Sequence, residues 1–392
     1  VSDLDVFAAL LAPEGQTLLD ELRDHDPADE LAAATRLRRD HPAPLVSAAL
    51  GQARLRQRAA AKFGADAQRM YFTANGVEQS TRATVAAHRA ARLAALGVRS
   101  VADLCCGIGG DALALARAGI RVLAVDRDPL ACAAARANAA ALGLAELIEV
   151  RAADVTEVDT AGHDAVFVDP ARRSKVRGGR IFDPEAYSPP LSWAVEAART
   201  APFAALKIAP GVPHEMLPED TEAEWISDRG EVKEAVLWFG TAPGARRATL
   251  LPAGDSLLGA GLPDPEAGPV GRYLYEPDGA VIRAHLVAEA AAGLDGRLID
   301  PTIAYVTADA LRPTPFATAY EITDVLPFNV KRLKALLRER GVGTAVIKKR
   351  GSAVEPEELR KKLKLAGGGN SVTVFLTRVA GAPTMLLGQP AQ

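Results

Sequence analysis

The sequence predicts an α/β protein: a doubly wound, mainly parallel sheet with a helical region before it and a smaller α+β region after it. Three patterns predict this. Between residues 100 and 209, short apolar strands alternate with alanine-rich helical stretches, as in a parallel sheet with crossover helices. Residues 1–90 place apolar residues at helical spacing without strand-like runs. Residues 319–378 read β-α-β-α-β, compatible with a ferredoxin-like sheet.

The elements follow in order. Leu18, Leu19 and Leu22 make one helical face, and Pro42 and Pro44 break the pattern. Residues 52–63 resume it with Arg and Gln on the polar face, 71–73 read as a short extended element, and 76–96 as a helix stopped by Gly97. Strands are expected at 101–104, 121–126, 148–151, 164–169 and 204–209, with helices at 110–117, 129–142 and 191–199. Residues 232–239 and 248–251 then read as a strand pair joined by the turn-rich 240–244, closing the sheet without a helix. Residues 253–271, rich in Gly, Pro and Asp, read as a linker. Beyond it come a helix at 280–293, strands at 303–306, 319–325, 344–348 and 371–378, and helices at 329–340 and 356–365. The expected domains are 1–90, 91–252 and 273–392, with 253–272 between the last two.

Composition sets limits. With 392 residues, 48% hydrophobic and 24% charged, the chain can build more than one core. No apolar run reaches the ~20 residues of a membrane helix, and residues 1–5 lack a signal-peptide pattern. Three cysteines (Cys105, Cys106, Cys132) form neither a disulfide framework nor a metal-ligand spacing, so no metal and a reducing, cytoplasmic setting are expected. The net charge of −3 hides an asymmetry. Residues 331–364 hold twelve Lys/Arg against four Glu, a local +8, so the remainder carries −11. Clustered cations attract polyanions; the bland alternative is the solvated surface of two helices.

The chemistry concentrates in Asp103-Leu-Cys-Cys-Gly107-Ile-Gly109-Gly110-Asp111, where a strand turns into a helix. Glycines admit a ligand close to the backbone, and the helix start favours negative groups. Gly107-x-Gly109-x-x-Ala112 also satisfies a dinucleotide fingerprint, and Asp126 after the second strand suits a ribose diol in either case. Three other carboxylates separate the readings. Asp103 would repel a diphosphate but suits the amino group of S-adenosylmethionine (SAM). Asp154 after the third strand suits an adenine amine, and Asp169-Pro170-Ala171-Arg172 ends the fourth strand, where substrate meets cofactor. Each alone could be an ordinary strand-end residue; together they favour SAM.

With these motifs, residues 99–252 resemble class I SAM-dependent RNA methyltransferases, whose sheet is Rossmann-like, seven-stranded and closed by a hairpin. Arg136-Ala-Asn138-Ala is similar to a pattern of RNA-base enzymes, and Asp169-Pro-Ala-Arg to the Asp/Asn-Pro-Pro-aromatic motif that holds a target amine. The helical start, DLCCGIGGD, DPARR and the C-terminal region together resemble a bacterial THUMP-like methyltransferase family related to trimethylguanosine synthases.

The resemblance implies SAM as cofactor, held by Asp103, Cys105, Gly107, Gly109, Asp126 and Asp154, with Asp169 and Pro170 as catalytic pair. It also implies structured RNA, tRNA or rRNA, as partner. The motif departs from the family at Ala171 and Arg172, so a base would stack elsewhere: on Phe182, Tyr187 or Trp193, or on Tyr71 or Phe72, though core packing suits each of these too. Arg172, Arg173 and Tyr187 are substrate-binding candidates, as are Lys348, Lys349 and Arg350, expected with Arg360–Lys364 on one phosphate-binding face. Lys207 reads equally as a snorkelling strand residue or one reaching the substrate crevice. The cysteines suit small core residues better than nucleophiles. The rival readings are methylation of a protein or small molecule, a non-catalytic RNA-binding protein that retains the fold, and, more distantly, an NAD-dependent reductase.

Overall fold

The computed structural model of the chain describes residues 2–171 and 183–391. Arg172, Arg173 and Phe182 lie outside the described residues. The chain divides into two compact units, Val1–Glu222 with Ala235–Gly244, and Ala223–Glu234 with Ala245–Gln392.

The first unit begins with six helices: α1 (Asp3–Leu11), α2 (Pro13–Glu21), α3 (Glu30–Leu37), α4 (Ala43–Phe63), α5 (Ala74–Gln79) and α6 (Ala83–Ala95). Ser2 and Asp5 form a capping box on α1, and Pro13 starts α2 where its missing N–H costs nothing. Leu18, Leu19 and Leu22 are buried together as expected. The helix expected over 76–96 is broken at Ser80–Arg82 into α5 and α6.

Gln52 and Arg56 of α4, expected on a polar face, are buried instead. The reason lies in residues 70–73, which run extended without joining a sheet. Buried backbone groups need partners, and side chains supply them here. The Gln52 amide accepts from Phe72 N–H (2.7 Å) and donates to Phe72 C=O (3.0 Å). The Asn138 amide does the same for Tyr71 (2.6 and 3.0 Å), and Arg56 Nε donates to Met70 C=O (2.8 Å).

The sheet follows: β1 (Ser100–Leu104), α7 (Gly110–Arg117), β2 (Arg121–Asp126), α8 (Pro129–Ala141), β3 (Ile148–Ala152), β4 (Ala165–Val168), α9 (Leu191–Ala198), β5 (Phe203–Ile208), β6 (Thr221–Asp228) and β7 (Glu231–Phe239). Their order is β3-β2-β1-β4-β5-β7-β6. The first five strands run parallel and β7 antiparallel to β5, so the seven-stranded class I arrangement is present.

The closing hairpin is not the expected one. It is β6–β7, turning at Arg229 and Gly230, both with positive φ (52° and 83°) as a two-residue hairpin turn requires. Strand β6 escaped notice because Glu222, Glu224, Ser227 and Asp228 look like surface residues, yet all are buried.

In the second unit, residues 223–228 of β6 pair in parallel with β8 (Arg246–Leu251), and β9 (Asp255–Leu258), within the stretch read as linker, pairs antiparallel with β8. The rest comprises β10 (Tyr273–Pro277), α10 (Gly279–Arg283), α11 (Val287–Leu294), β11 (Arg297–Leu298), β12 (Val306–Ala308), β13 (Ala317–Pro327), α12 (Val330–Glu339), β14 (Val342–Lys349), α13 (Pro356–Leu363), β15 (Asn370–Val379) and β16 (Ala382–Pro390). The β-α-β-α-β succession expected here exists as β13–α12–β14–α13–β15, with β14 and β15 parallel. Strand β16 enters between β13 and β15, so the sheet order is β11-β12-β10-β13-β16-β15-β14 rather than a ferredoxin-like one. The helix expected over 280–293 divides into α10 and α11 at His285, where φ is +56°. Leu333 and Leu337 of α12 and Leu359 and Leu363 of α13 bury against one sheet face; their cationic sides point away from that core. Among the described residues no helix is long and apolar enough to cross a membrane.

Candidate active site

Parallel strands deliver their carboxyl ends to one edge of the sheet, and backbone bonds lace these ends together. Cys106 N–H donates to Val125 C=O (2.9 Å), Ala153 N–H to Asp126 C=O (2.9 Å) and Asp169 N–H to Leu104 C=O (3.3 Å). Asp103, Asp126, Asp154 and Asp169 are thereby collected at that edge, each at or just beyond the end of its own strand.

The loop between β1 and α7 needs left-handed backbone at Cys105, Gly107 and Gly109 (φ 66°, 56° and 92°). A Cβ on Gly109 would sit 3.3 Å from the Ala135 Cβ, whereas at Gly107 it would meet nothing within 4 Å. Gly109 is thus small for packing, and Gly107 leaves room beside the backbone for a ligand. The Asp126 carboxylate holds the loop through Gly107 N–H (2.9 Å) and also accepts from Asp128 N–H (2.9 Å). A carboxylate has about four acceptor positions, so ribose hydroxyls can still be served. Asp154 is exposed and caps the turn after β3, accepting from Thr156 N–H (2.9 Å) and Oγ1 (2.7 Å), which lowers its pKa.

Asp103 is 1% exposed and neither carboxyl oxygen has a hydrogen-bond partner among the described residues. Burial drives its carboxyl well above the usual carboxylate range; the charges of Asp111 and Asp169 add to this, Arg89 opposes it, and Asp126 adds a little more. An orphaned buried carboxyl group is costly unless a donor arrives. An ammonium group beside the open cradle at Gly107 would be such a donor. The residues present therefore fit SAM: amino group at Asp103, ribose at Asp126, adenine amine near Asp154.

Burial raises the pKa of all three thiols, Cys105 and Cys106 strongly, and nearby Asp126 or Asp103 adds to the rise. Cys106 and Cys132 are buried and Cys105 is half-buried, and in each the burial disfavours the thiolate a nucleophile needs.

Beyond β4, Pro170 is buried and Ala171 exchanges two backbone bonds with Ser188 (2.9 and 3.1 Å). The Asp169 carboxylate pairs with Lys207 of β5, whose Nζ lies 3.0 Å from Oδ2 and 3.1 Å from Thr81 Oγ1. Lys207 is buried and points to the crevice, which decides between its two readings.

Two groups central to the site went unassigned in the sequence. Arg89, 1% exposed, bonds Asp111 Oδ1 through Nε (3.0 Å) and covers the Phe167 ring at 4.5 Å. Its signal was a lone arginine on the apolar stripe Val85, Ala86, Ala90, Leu93 of α6. Asn138, whose only signal was its place in the Arg136-Ala-Asn138-Ala pattern, also donates to Ile108 C=O inside the glycine loop (2.9 Å). The aromatic candidates divide. Tyr187, Tyr71 and Phe72 are buried, Tyr71 against Phe7 and Phe72 against Phe63, while Trp193 is half-buried.

Lys349 does not share a face with Lys348 and Arg350, because successive strand residues point to opposite sides; Lys348 and Arg350 both turn towards the Tyr305–Phe375–Tyr320 ring cluster. Lys348 bonds Glu276 (2.7 Å), Lys349 pairs with Glu355, and the Arg350 guanidinium lies 5.3 Å from the Tyr305 ring centroid. By contrast Lys331, Arg332, Arg338, Lys361, Lys362 and Lys364 are exposed at α12 and α13.

Comparison with known proteins agrees with this geometry. Two curated relatives from strains of Mycobacterium tuberculosis, each described as an uncharacterised SAM-dependent methyltransferase, are 38% identical over 338 residues, covering 83% of this chain and 90% of theirs. The chain belongs to the SAM-dependent methyltransferases. A methyltransferase-domain model matches residues 101–170, a THUMP domain-like model residues 317–390, and a domain of unknown function residues 3–59. The crystal structure of a putative methyltransferase from Porphyromonas gingivalis W83 has the same fold, with TM-score 0.76 and 24% identity over 94% of this chain and 99% of that one. The methyltransferase thus uses SAM, a cofactor that the unpartnered Asp103 and the open cradle at Gly107 fit.

Proposed function

We propose that this methyltransferase modifies a base nitrogen in structured RNA, tRNA or rRNA. The observation that carries the reading is the cationic outer side of α12 and α13, within the segment that matches a THUMP domain-like model. Exposed Lys and Arg on one layer suit the phosphates of a folded RNA, read by shape and backbone rather than by sequence.

Bound SAM supplies a methyl group on a sulfonium, which an acceptor nitrogen takes with its lone pair while S-adenosylhomocysteine departs. The protein's part is positioning, since no covalent intermediate is needed. Asp103 holds the cofactor's amino end and Asp126 its ribose. An extruded base enters beside Asp169 and Pro170. There the Asp169 carboxylate accepts a hydrogen bond from the target nitrogen, keeps its lone pair in line with the methyl group, and stabilises the positive charge that develops until the N–H proton is lost to solvent. Half-buried Trp193 is available for stacking, and the guanidinium groups of Arg172 and Arg173 are by their chemistry suited to RNA phosphate.

The test incubates purified protein with labelled SAM and total RNA from a strain lacking the gene. Label in an RNA species, assigned by nucleoside mass spectrometry, is the expected result. Label in protein alone, or none in RNA from protein that binds SAM, overturns the reading. Asp169→Ala should abolish transfer while SAM affinity is kept.

A further inference from the structure

We propose that Lys207 is a positioning residue of methyl transfer: clamped between Thr81 and Asp169, it keeps the Asp169 carboxylate in one orientation towards the acceptor nitrogen. The inference rests on the role given above to Asp169.

Lys207 lies inside β5, in register with Val236 of β7. A lysine 5% exposed in the middle of a sheet is costly unless its charge is met. Here Nζ meets a carboxylate at 3.0 Å and a hydroxyl at 3.1 Å. Thr81 comes from the break between α5 and α6, so the helical region steadies the amine from one side while the sheet holds its stem.

The surroundings give this amine its importance. Asp103, Asp111 and Asp126 crowd the same strand ends, and the nearby buried Arg89 is engaged with Asp111. Without Lys207, Asp169 loses the charge-assisted bond that orients Oδ2, beside a group of acidic neighbours, and can turn. Once turned, it would aim poorly at a substrate nitrogen. An amide at the same position would need no such counter-charge, which gives the test its leverage.

Wild type, Lys207→Met, Lys207→Arg, Asp169→Asn and the Asp169→Asn/Lys207→Met pair are compared. The acceptor is whichever of total RNA or total protein from the deletion strain the wild type labels, so a failed RNA reading does not remove the test. Lys207→Met should cut turnover about 100-fold with SAM affinity unchanged, and Lys207→Arg should recover part of the loss. In the Asp169→Asn background the same Lys207→Met change should cost about tenfold or less. An equal loss in both backgrounds, or a loss confined to SAM affinity, overturns the proposal. Urea denaturation adds a measurement that needs no acceptor. Lys207→Met should lower the midpoint more in the wild-type background than in Asp169→Asn, whereas an equal drop in both counts against the clamp.

Discussion

Replacing Asp103 with asparagine should strengthen the empty protein and weaken its hold on SAM. Both carboxyl oxygens are buried without a partner among the described residues, and burial raises the group's pKa well above normal. The folded chain therefore keeps a proton that the unfolded chain gives up above about pH 3.9. Stability falls as pH rises through the window from that value to the raised one, because the native state binds more protons there. Asparagine removes this slope, so at neutral pH the variant should be the more stable apo protein. The cofactor's ammonium reverses the balance. A charge-assisted hydrogen bond to a buried group contributes about 1.5–3 kcal/mol, so Asp103→Asn should weaken SAM binding roughly 10- to 100-fold. Wild-type affinity should also rise with pH until Asp103 ionises, with a proton released on binding. Calorimetry in two buffers of different ionisation enthalpy measures both, and urea denaturation measures the apo stability. A wild-type affinity flat with pH and unaltered by Asp103→Asn would refute the reasoning.

Three further outcomes are expected. Arg89→Met leaves Asp111 as an unpaired buried charge and should cost about 3–5 kcal/mol, whereas Arg89→Met/Asp111→Leu should recover most of it in the same denaturation assay. Gly107→Ala places its Cβ in open space at φ +56°. It should cost only about 1–2 kcal/mol of stability yet impair SAM binding in calorimetry, while Gly109→Ala, pressed on Ala135, should lose more stability than Gly107→Ala. Burial holds the thiols protonated, so iodoacetamide at mildly alkaline pH should label Cys105, Cys106 and Cys132 slowly in the folded protein and fast in urea; quick labelling of native Cys105 would contradict that.

The sheet and its ligand edge were legible because both follow from local pattern. Alternating strands and helices oblige successive strand ends to meet, so Asp103, Asp126, Asp154 and Asp169 could be gathered without coordinates. What escaped the sequence is set by distant partners. Glu222 and Glu224 hid β6 because a buried acid looks like an exposed one until its neighbours are known. Arg89 needed Asp111, Lys207 needed Thr81, and Gln52 needed the backbone of Phe72. Lys349 misled in the opposite sense: adjacency in sequence suggested one patch with Lys348 and Arg350, and the strand's alternation turned it to the other side.

The amides of Gln52 and Asn138 carry a practical consequence for anyone wishing to shorten or recombine this enzyme. They serve Phe72 and Tyr71 as a neighbouring strand would, and Asn138 grips Ile108 of the glycine loop with the same group. A catalytic fragment trimmed to begin at β1 would leave Asn138 without its two Tyr71 bonds, directly behind the cofactor loop. The helical beginning is therefore not a detachable accessory, and a chimera that borrows the sheet from this enzyme must bring Met70–Thr73 along with it.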